Sequence, residues 1–312
     1  MWSEIHNRIQ KYDVPNIVRV LKRNCDYEEI YNIILNGSSF TETEKLAIID
    51  AVYDAYESLD SIIRYYNTRD IKTTTVDTSL LSKFILRFAG ENKERGYFFT
   101  LNQDIFIERY FNGSGMDAPR CPGIKIENNL RFSTWDKRGK VLEREDLGRV
   151  PTAVELENHK TDLFNVSRLF YMKLHGSFDW RDASNERKLI IGTNKVEDIQ
   201  KEPILKWYFQ EFKNVLSRNN CRILIIGYGF RDPHINAVLL KSVKSNGLKL
   251  YIVCPIDPME FYVNTLGVFG EDRDLIWDNV AGYYPYNLAE IFPKELPPST
   301  HLKNLCNDLF GI

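Results

Sequence analysis

Three short segments of the 312-residue chain join polar groups to backbone freedom: Thr100-Leu-Asn-Gln-Asp104, Lys173-Leu-His-Gly-Ser177 and Gly227-Tyr-Gly-Phe-Arg-Asp232. The imidazole of His175 is a base that works near neutral pH. The carboxamide of Asn102 can hold a water or a sugar hydroxyl without adding charge. Gly227 and Gly229 let backbone approach a ligand closely, and a helix starting near Pro233 would aim its positive end at the same place. Each segment also has a plainer reading. Asn102 and Asp104 could cap the helix that follows them, His175 could be a hydrogen-bonded turn residue, and a lone Gly-x-Gly could serve only as a tight turn. Taken together, a base, an amide and a Gly turn suit the ribose and phosphates of a nucleotide.

Such groups need elements that bring them to one place, and each segment falls just past a short apolar run. Gly96 to Leu101 and Leu169 to Leu174 read as strands, Lys188 to Gly192 is a third candidate, and Ile223 to Ile226 is the most apolar of all. Leu248 to Cys254 gives another buried strand. Helical patterns alternate with these strands: Ile105 to Phe111, the face Leu205, Tyr208, Phe209, Phe212, Val215 and Leu216 behind Pro203, Ile235 to Leu240, and a closing helix near His301 to Phe310. Short, continuously apolar strands alternating with helices predict an α/β fold with a parallel sheet covered on both faces, where ligands bind beyond the carboxyl ends of the strands. Residues 1–90 read as a helical layer or subdomain. There Thr41-Glu-Thr-Glu44 has capping-box spacing, and Leu46, Ile49, Val52, Tyr53, Tyr56, Leu59 and Ile63 share one face behind it. Val14 to Arg23, Asp26 to Leu35 and Ser79 to Phe88 repeat the helical signature, with Gly90 as a stop. Residues 91–312 form the α/β domain, with a polar, irregular insertion at about 112–168 that has room for a hairpin or a short helix.

Composition narrows the setting. The 41 basic and 43 acidic residues nearly cancel and form no block of like charge, which argues against a surface that coats nucleic acid. The N-terminus lacks the apolar core of a signal peptide, and no apolar stretch approaches the ~20 residues of a membrane span, so a cytoplasmic protein with no membrane partner is expected. The five cysteines are scattered, without the paired spacing of a zinc site or the density of a disulfide scaffold.

The three segments also resemble the motifs of a known family. Thr100-Leu-Asn-Gln-Asp104 looks like the Thr-x-Asn-x-Asp motif of sirtuin-like domains, Lys173-Leu-His-Gly-Ser177 resembles their catalytic His-Gly segment, and Ile225-Ile-Gly-Tyr-Gly-Phe-Arg-Asp-Pro-His-Ile-Asn236 is similar to their third motif, in the same order. The matching blocks span about residues 96 to 255, and their Leu-His-Gly-Ser-x-x-Trp and Gly-x-Gly-Phe-x-Asp-x-His-Ile-Asn forms resemble the bacterial antiphage branch rather than the protein deacylases. The resemblance implies a Rossmann-like sheet with a helical subdomain and NAD as the ligand and substrate. It implies that Asn102 orients the nicotinamide ribose or the attacking water and that His175 is the base. Thr100, Asp104, Gly227, Gly229, Phe230 and Asp232 would contact the dinucleotide, with Asp104 near the nicotinamide and Gly227, Gly229 and Phe230 at the adenosine end. The implied reaction cleaves NAD to ADP-ribose and nicotinamide, in antiphage defence by NAD depletion. Homo-oligomers, or work beside a nucleic-acid-handling ATPase or another defence partner, are the implied settings.

The chain departs from that pattern twice. The four zinc cysteines of the deacylases are absent, from which no metal is expected, and a lysine deacylase ranks below the other readings. Nothing resembling the family's opening strand and Gly-Ala-Gly-x-Ser phosphate loop precedes Asn102; Gly37-Ser-Ser and Gly113-Ser-Gly do not substitute for it. That central first strand is therefore expected to be missing. Either the sequence is N-terminally shortened, which Cys25-Asp-Tyr-Glu-Glu-Ile30 favours by reading like the helix that follows the loop, or the phosphate loop is lost. In the second case the protein would be a catalytically impaired subunit that binds NAD, ADP-ribose or a partner protein.

Overall fold

A reciprocal cap sets the start of the longest helix. Thr41 N donates to Glu44 Oε2 at 2.8 Å, Glu44 N donates to Thr41 Oγ1 at 3.2 Å, and Asn16 Nδ2 reaches Glu44 Oε1 at 2.9 Å. The structure, a computed structural model, describes residues 1–24, 26–65, 75–89, 95–110, 119, 121–124, 148–163, 167–192, 194–294 and 298–311. In chain order the elements begin with α1 (Trp2–Ile9), α2 (Pro15–Arg23), α3 (Tyr27–Asn36), α4 (Glu42–Tyr65) and α5 (Thr78–Leu86). Then come β1 (Gly96–Thr100), α6 (Phe106–Tyr110), α7 (Ala153–Leu163), β2 (Leu169–Lys173), β3 (Gly176–Arg181), β4 (Arg187–Leu189), α8 (Lys195–Lys201) and α9 (Pro203–Leu216). The last third holds β5 (Arg222–Ile226), α10 (Pro233–Asn246), β6 (Lys249–Val253), α11 (Pro258–Glu260), α12 (Arg273–Asp278), β7 (Val280–Tyr284), α13 (Leu288–Ile291) and α14 (Thr300–Phe310). None of the described helices is long and apolar enough to cross a membrane.

The chain divides into two units, one made of Met1–Asp70 and Ile85–Tyr208, the other of Ile71–Phe84 and Phe209–Ile312. The first unit contains the helices α1 to α4, a parallel pair β1-β2 and an antiparallel pair β3-β4, while most of α5 belongs to the second. The apolar cluster of the first unit draws Ile5, Ile9, Ile17, Leu21, Ile30 and Ile34 from α1 to α3 onto α4, and reaches Ile105 and Phe178 beside the strands. The buried face of α4 holds Val52, Tyr53 and Tyr56 as expected, but Leu46 is 60% exposed and Ala47, Ile48, Ala51 and Ala55 are buried in addition. Alanine carries too little apolar weight to mark a face in sequence, yet it leaves room for a neighbouring helix to approach closely.

The second unit is built on the parallel sheet β5-β6-β7, flanked by helices in a Rossmann-like arrangement. β6 carries the expected burial, Leu250 to Val253 all being inside. β5, the most apolar of the expected strands, pairs with β6; Ile225 is buried but Ile226 is 43% exposed. Neither β3 nor β7 was expected, although Ser177-Phe-Asp-Trp-Arg181 alternates polar and apolar residues; Val-Ala-Gly-Tyr-Tyr shows no such alternation. The third expected strand appears as β4, hairpin partner of β3 rather than a parallel strand. The expected stop at Gly90 and most of the 112–168 insertion fall outside the described residues, although α7 is a helix within the insertion.

The α4 cap gives a first prediction. The Thr41 backbone N–H, then the Asn16 amide, hold the Glu44 carboxyl below its ordinary range near 4.5. A lowered carboxyl stabilises the fold above that ordinary value, and the stabilisation is lost as pH falls through the folded value. Glu44→Ala is therefore expected to cost about 1 kcal/mol at pH 7. The deficit should shrink towards zero near pH 3, read from urea midpoints of both proteins at the two pH values; an equal deficit at both would remove the carboxylate from the account.

Candidate active site

The two segments with amide and imidazole are placed by one strand pair in the first unit. β1 and β2 run parallel in a register that matches Gly96 to Leu169 and Thr100 to Lys173. Phe98 lies against Tyr171 and Tyr97 against Phe170, with ring centroids 5.2 and 5.9 Å apart, which pins the register through side chains as well as backbone. Leu174 N continues the ladder by donating to Thr100 O at 2.9 Å. Asn102 and His175 consequently stand two positions beyond the last paired residues of adjacent parallel strands.

The turn after β1 is shaped locally. Thr100 Oγ1 accepts from Asn102 N at 3.0 Å, and Asp104 Oδ1 accepts from Phe106 N at 2.9 Å, so Asp104 caps α6. Asn102 is exposed, while the intervening Gln103 is buried. Gln103 Nε2 donates to Ile190 O at 2.6 Å, and its Oε1 accepts from Tyr56 Oη. Its main-chain carbonyl accepts from Phe178 N at 3.1 Å and from Ser177 Oγ at 3.2 Å.

His175 is 2% exposed and occupies the short turn that joins β2 to β3. Its carbonyl accepts from Ile190 N at 3.1 Å. Gly176 follows with φ +74°, and a Cβ there would meet Lys188 O at 2.5 Å, so glycine is needed both for the turn and for the close passage of β4. Beneath these turns Lys173 is wholly buried. Its Nζ donates to Asp104 O and pairs with Glu108 Oε1 at 2.8 Å. Burial raises the Glu108 carboxyl, and Lys173 opposes that rise.

The third segment lies in the second unit, at the end of β5. Gly227 has φ +64°, is exposed, and has open space where a Cβ would stand; Gly229 is also exposed. Phe230, with φ +54°, is 1% exposed and packs on Phe261 and Phe269 at 5.9 and 5.8 Å. Asn236 fixes this loop, donating to Phe230 O at 2.7 Å and accepting from Tyr228 Oη at 2.9 Å. Asp232 is the N-cap residue of α10, makes no side-chain cap hydrogen bond, and precedes Pro233 in the first turn. The second unit also has a cavity of about 610 Å³ lined by Asp257, Met259, Tyr262, Asp274, Trp277 and Asp278 among others, with none of the residues singled out from sequence.

Thr100, Asn102, Asp104 and His175 thus belong to one unit, and Gly227, Gly229, Phe230 and Asp232 to the other. Sequence reasoning passed over Gln103, Lys173 and Glu108, although the first two lie inside the segments it singled out; a polar residue amid an apolar strand was the available signal for Lys173. It also gave His234 no role. The expectation of no metal is corrected by that residue, because His175, Asp232 and His234 each offer a ligand atom and all three atoms lie within 4.8 Å of one another. Two imidazoles and a carboxylate are a recognised donor set for divalent metals, and the absence of a cysteine quartet argued only against a thiolate site.

Residues 96–265, more than half of the chain, match the profile of the SIR2-like domain. No curated protein matches the chain.

Proposed function

Starting from the membership of this chain in the SIR2-like domain family, whose fold binds NAD, we propose that it is an NAD glycohydrolase yielding ADP-ribose and nicotinamide. The observation that carries this reading is the matched offset of Asn102 and His175 beyond paired parallel strands, the edge at which such sheets take their ligands. In the reaction the bond between the ribose C1′ and the nicotinamide nitrogen breaks, and its electron pair neutralises the ring cation, so the leaving group is neutral. Water adds at C1′ and gives up a proton to the His175 imidazole, while the Asn102 carboxamide holds that water or the ribose hydroxyl. An oxocarbenium-like transition state needs positioning more than strong acid catalysis, which suits an uncharged amide beside one base. Gly227 and Gly229 supply backbone freedom for the phosphates, and Thr100, Asp104, Phe230 and Asp232 complete the dinucleotide contacts in this reading.

The motif forms that resemble the bacterial antiphage branch support a role in defence by NAD depletion, with the protein working as a homo-oligomer or beside a defence partner. Purified protein incubated with NAD is expected to release nicotinamide and ADP-ribose in equal amounts. Tight binding of ADP-ribose with no turnover would instead favour a non-catalytic subunit. Light scattering is expected to give a multiple of the 36.6 kDa chain mass, and a strictly monomeric mass at micromolar concentration would remove self-association from the proposal.

A further inference from the structure

We infer that Gln103 is a positioning residue that ties the Asn102 turn to the His175 turn, and that Tyr56 extends this tie into the helical layer. The inference rests on the glycohydrolase reading for its kinetic arm and on geometry alone for its structural arm. Gln103 follows Asn102 directly, and its amide donates to the carbonyl of Ile190, whose own N–H donates to the carbonyl of His175. One residue, Ile190, therefore stands between the side chain of Gln103 and the main chain of His175.

The direction of each bond is fixed by chemistry. A carbonyl can only accept, so the NH₂ of Gln103 faces Ile190 and its Oε1 faces Tyr56. The single proton of Tyr56 goes to that oxygen, which leaves Tyr27 Oη as the donor in its 3.4 Å contact with Tyr56 Oη. Burial pushes the Tyr27 hydroxyl up to about 12 and the Tyr56 hydroxyl well above 10, so both keep their protons at neutral pH. Tyr56 also stacks on Phe178 of β3, with centroids 5.6 Å apart and planes 7° from parallel. Gln103 and Tyr56 are each 4% exposed, and a buried polar group that loses its partner cannot turn to bulk water.

The Thr-x-Asn-x-Asp segment thus holds two kinds of residue. Asn102 is exposed for chemistry, and Gln103 is turned inwards to hold it at a set distance from the histidine turn. Through Tyr56 and Tyr27, helices α4 and α3 are joined to the same bracket, so a disturbance of the helical layer is passed to the turns that carry the amide and the imidazole.

The test compares the full-length protein with Gln103→Met, Tyr56→Phe and the double variant. Gln103→Met is expected to lower kcat for nicotinamide release about tenfold with KM within about twofold, a displacement effect rather than a loss of binding. Amide hydrogen exchange at Ile190 should quicken by a similar factor while that of Tyr251 and Ile252 in β6 stays as in wild type. Tyr56→Phe, which keeps the ring and its stacking, should give the same pattern more weakly and stays readable if Gln103→Met folds poorly. The double variant should be no worse than Gln103→Met, because Tyr56 acts through Gln103. Unchanged kcat together with unchanged Ile190 exchange overturns the inference, as does a rise in KM alone; additive losses overturn the part assigned to Tyr56. A wild-type protein that releases no nicotinamide defeats the glycohydrolase reading, and the exchange measurement then decides the bracket by itself.

Discussion

His175→Ala is expected to lower nicotinamide release from NAD by about 100- to 10,000-fold, the range that a positioned general base contributes. In the proposed reaction the imidazole takes the proton of the attacking water or of the ribose hydroxyl, a task for which imidazole is the side-chain base suited to neutral pH. Asn102→Ala should cost about 100-fold, because a carboxamide orients its partner without exchanging a proton with it. The two losses should fall short of additive, since each residue is of use only when the other is in place. His175 is 2% exposed, so alanine there also opens a cavity. His175→Gln, which keeps most of the volume and a polar tip, separates the two effects: loss of the base predicts an inactive protein with a near-native urea midpoint. Turnover by His175→Gln at the wild-type rate would remove the imidazole from the mechanism, and equal rates for wild type, Asn102→Ala and His175→Ala would remove the enzymatic reading altogether.

The largest expected loss of stability is at Lys173. Its ammonium is fully buried, pairs with Glu108 and donates to the carbonyl of Asp104, the residue that caps α6. Removing one partner of a buried pair leaves an uncompensated charge, and Lys173→Met is expected to cost about 3–5 kcal/mol in urea unfolding of the first unit. Replacing both partners, as in Lys173→Met with Glu108→Leu, should recover most of that loss, because the desolvation of two charges goes with them. The pH dependence has a definite sign. Burial already raises the Glu108 carboxyl, and without Lys173 to oppose it the rise is larger. A raised carboxyl favours the fold below its unfolded value, and that contribution is lost as pH rises through the folded value. The deficit of Lys173→Met should therefore be smaller near pH 5 than near pH 8. A constant deficit across that span would place the loss in packing rather than charge.

Lys173 also shows where reading the sequence stopped. Leu169 to Leu174 is legible as a strand from its letters, and so is the turn with His175 behind it. What the lysine does at the end of that strand is not, because its partners Asp104 and Glu108 come from a different strand–turn–helix and are brought near by the pairing of β1 with β2. Gln103 is the same case. Inside a motif read for Asn102 and Asp104 it looks like a spacer, and its role depends on Tyr56 and Ile190, one far upstream and the other far downstream.

By itself the sequence determined the local grammar: the Thr41–Glu44 cap, the apolar stripe of α9, the strands ahead of each polar segment and the residue types suited to a nucleotide. These follow from interactions within a few residues, which propensity and periodicity report directly. Tertiary structure decided that Thr100 stands opposite Lys173, that α4 buries Ala47 and Ala51 while Leu46 faces outwards, and that Gln103 meets Tyr56 and Ile190. Strand register and the burial of a polar group are set by partners distant along the chain, and a pattern read within one segment carries no information about which distant partner will complete it.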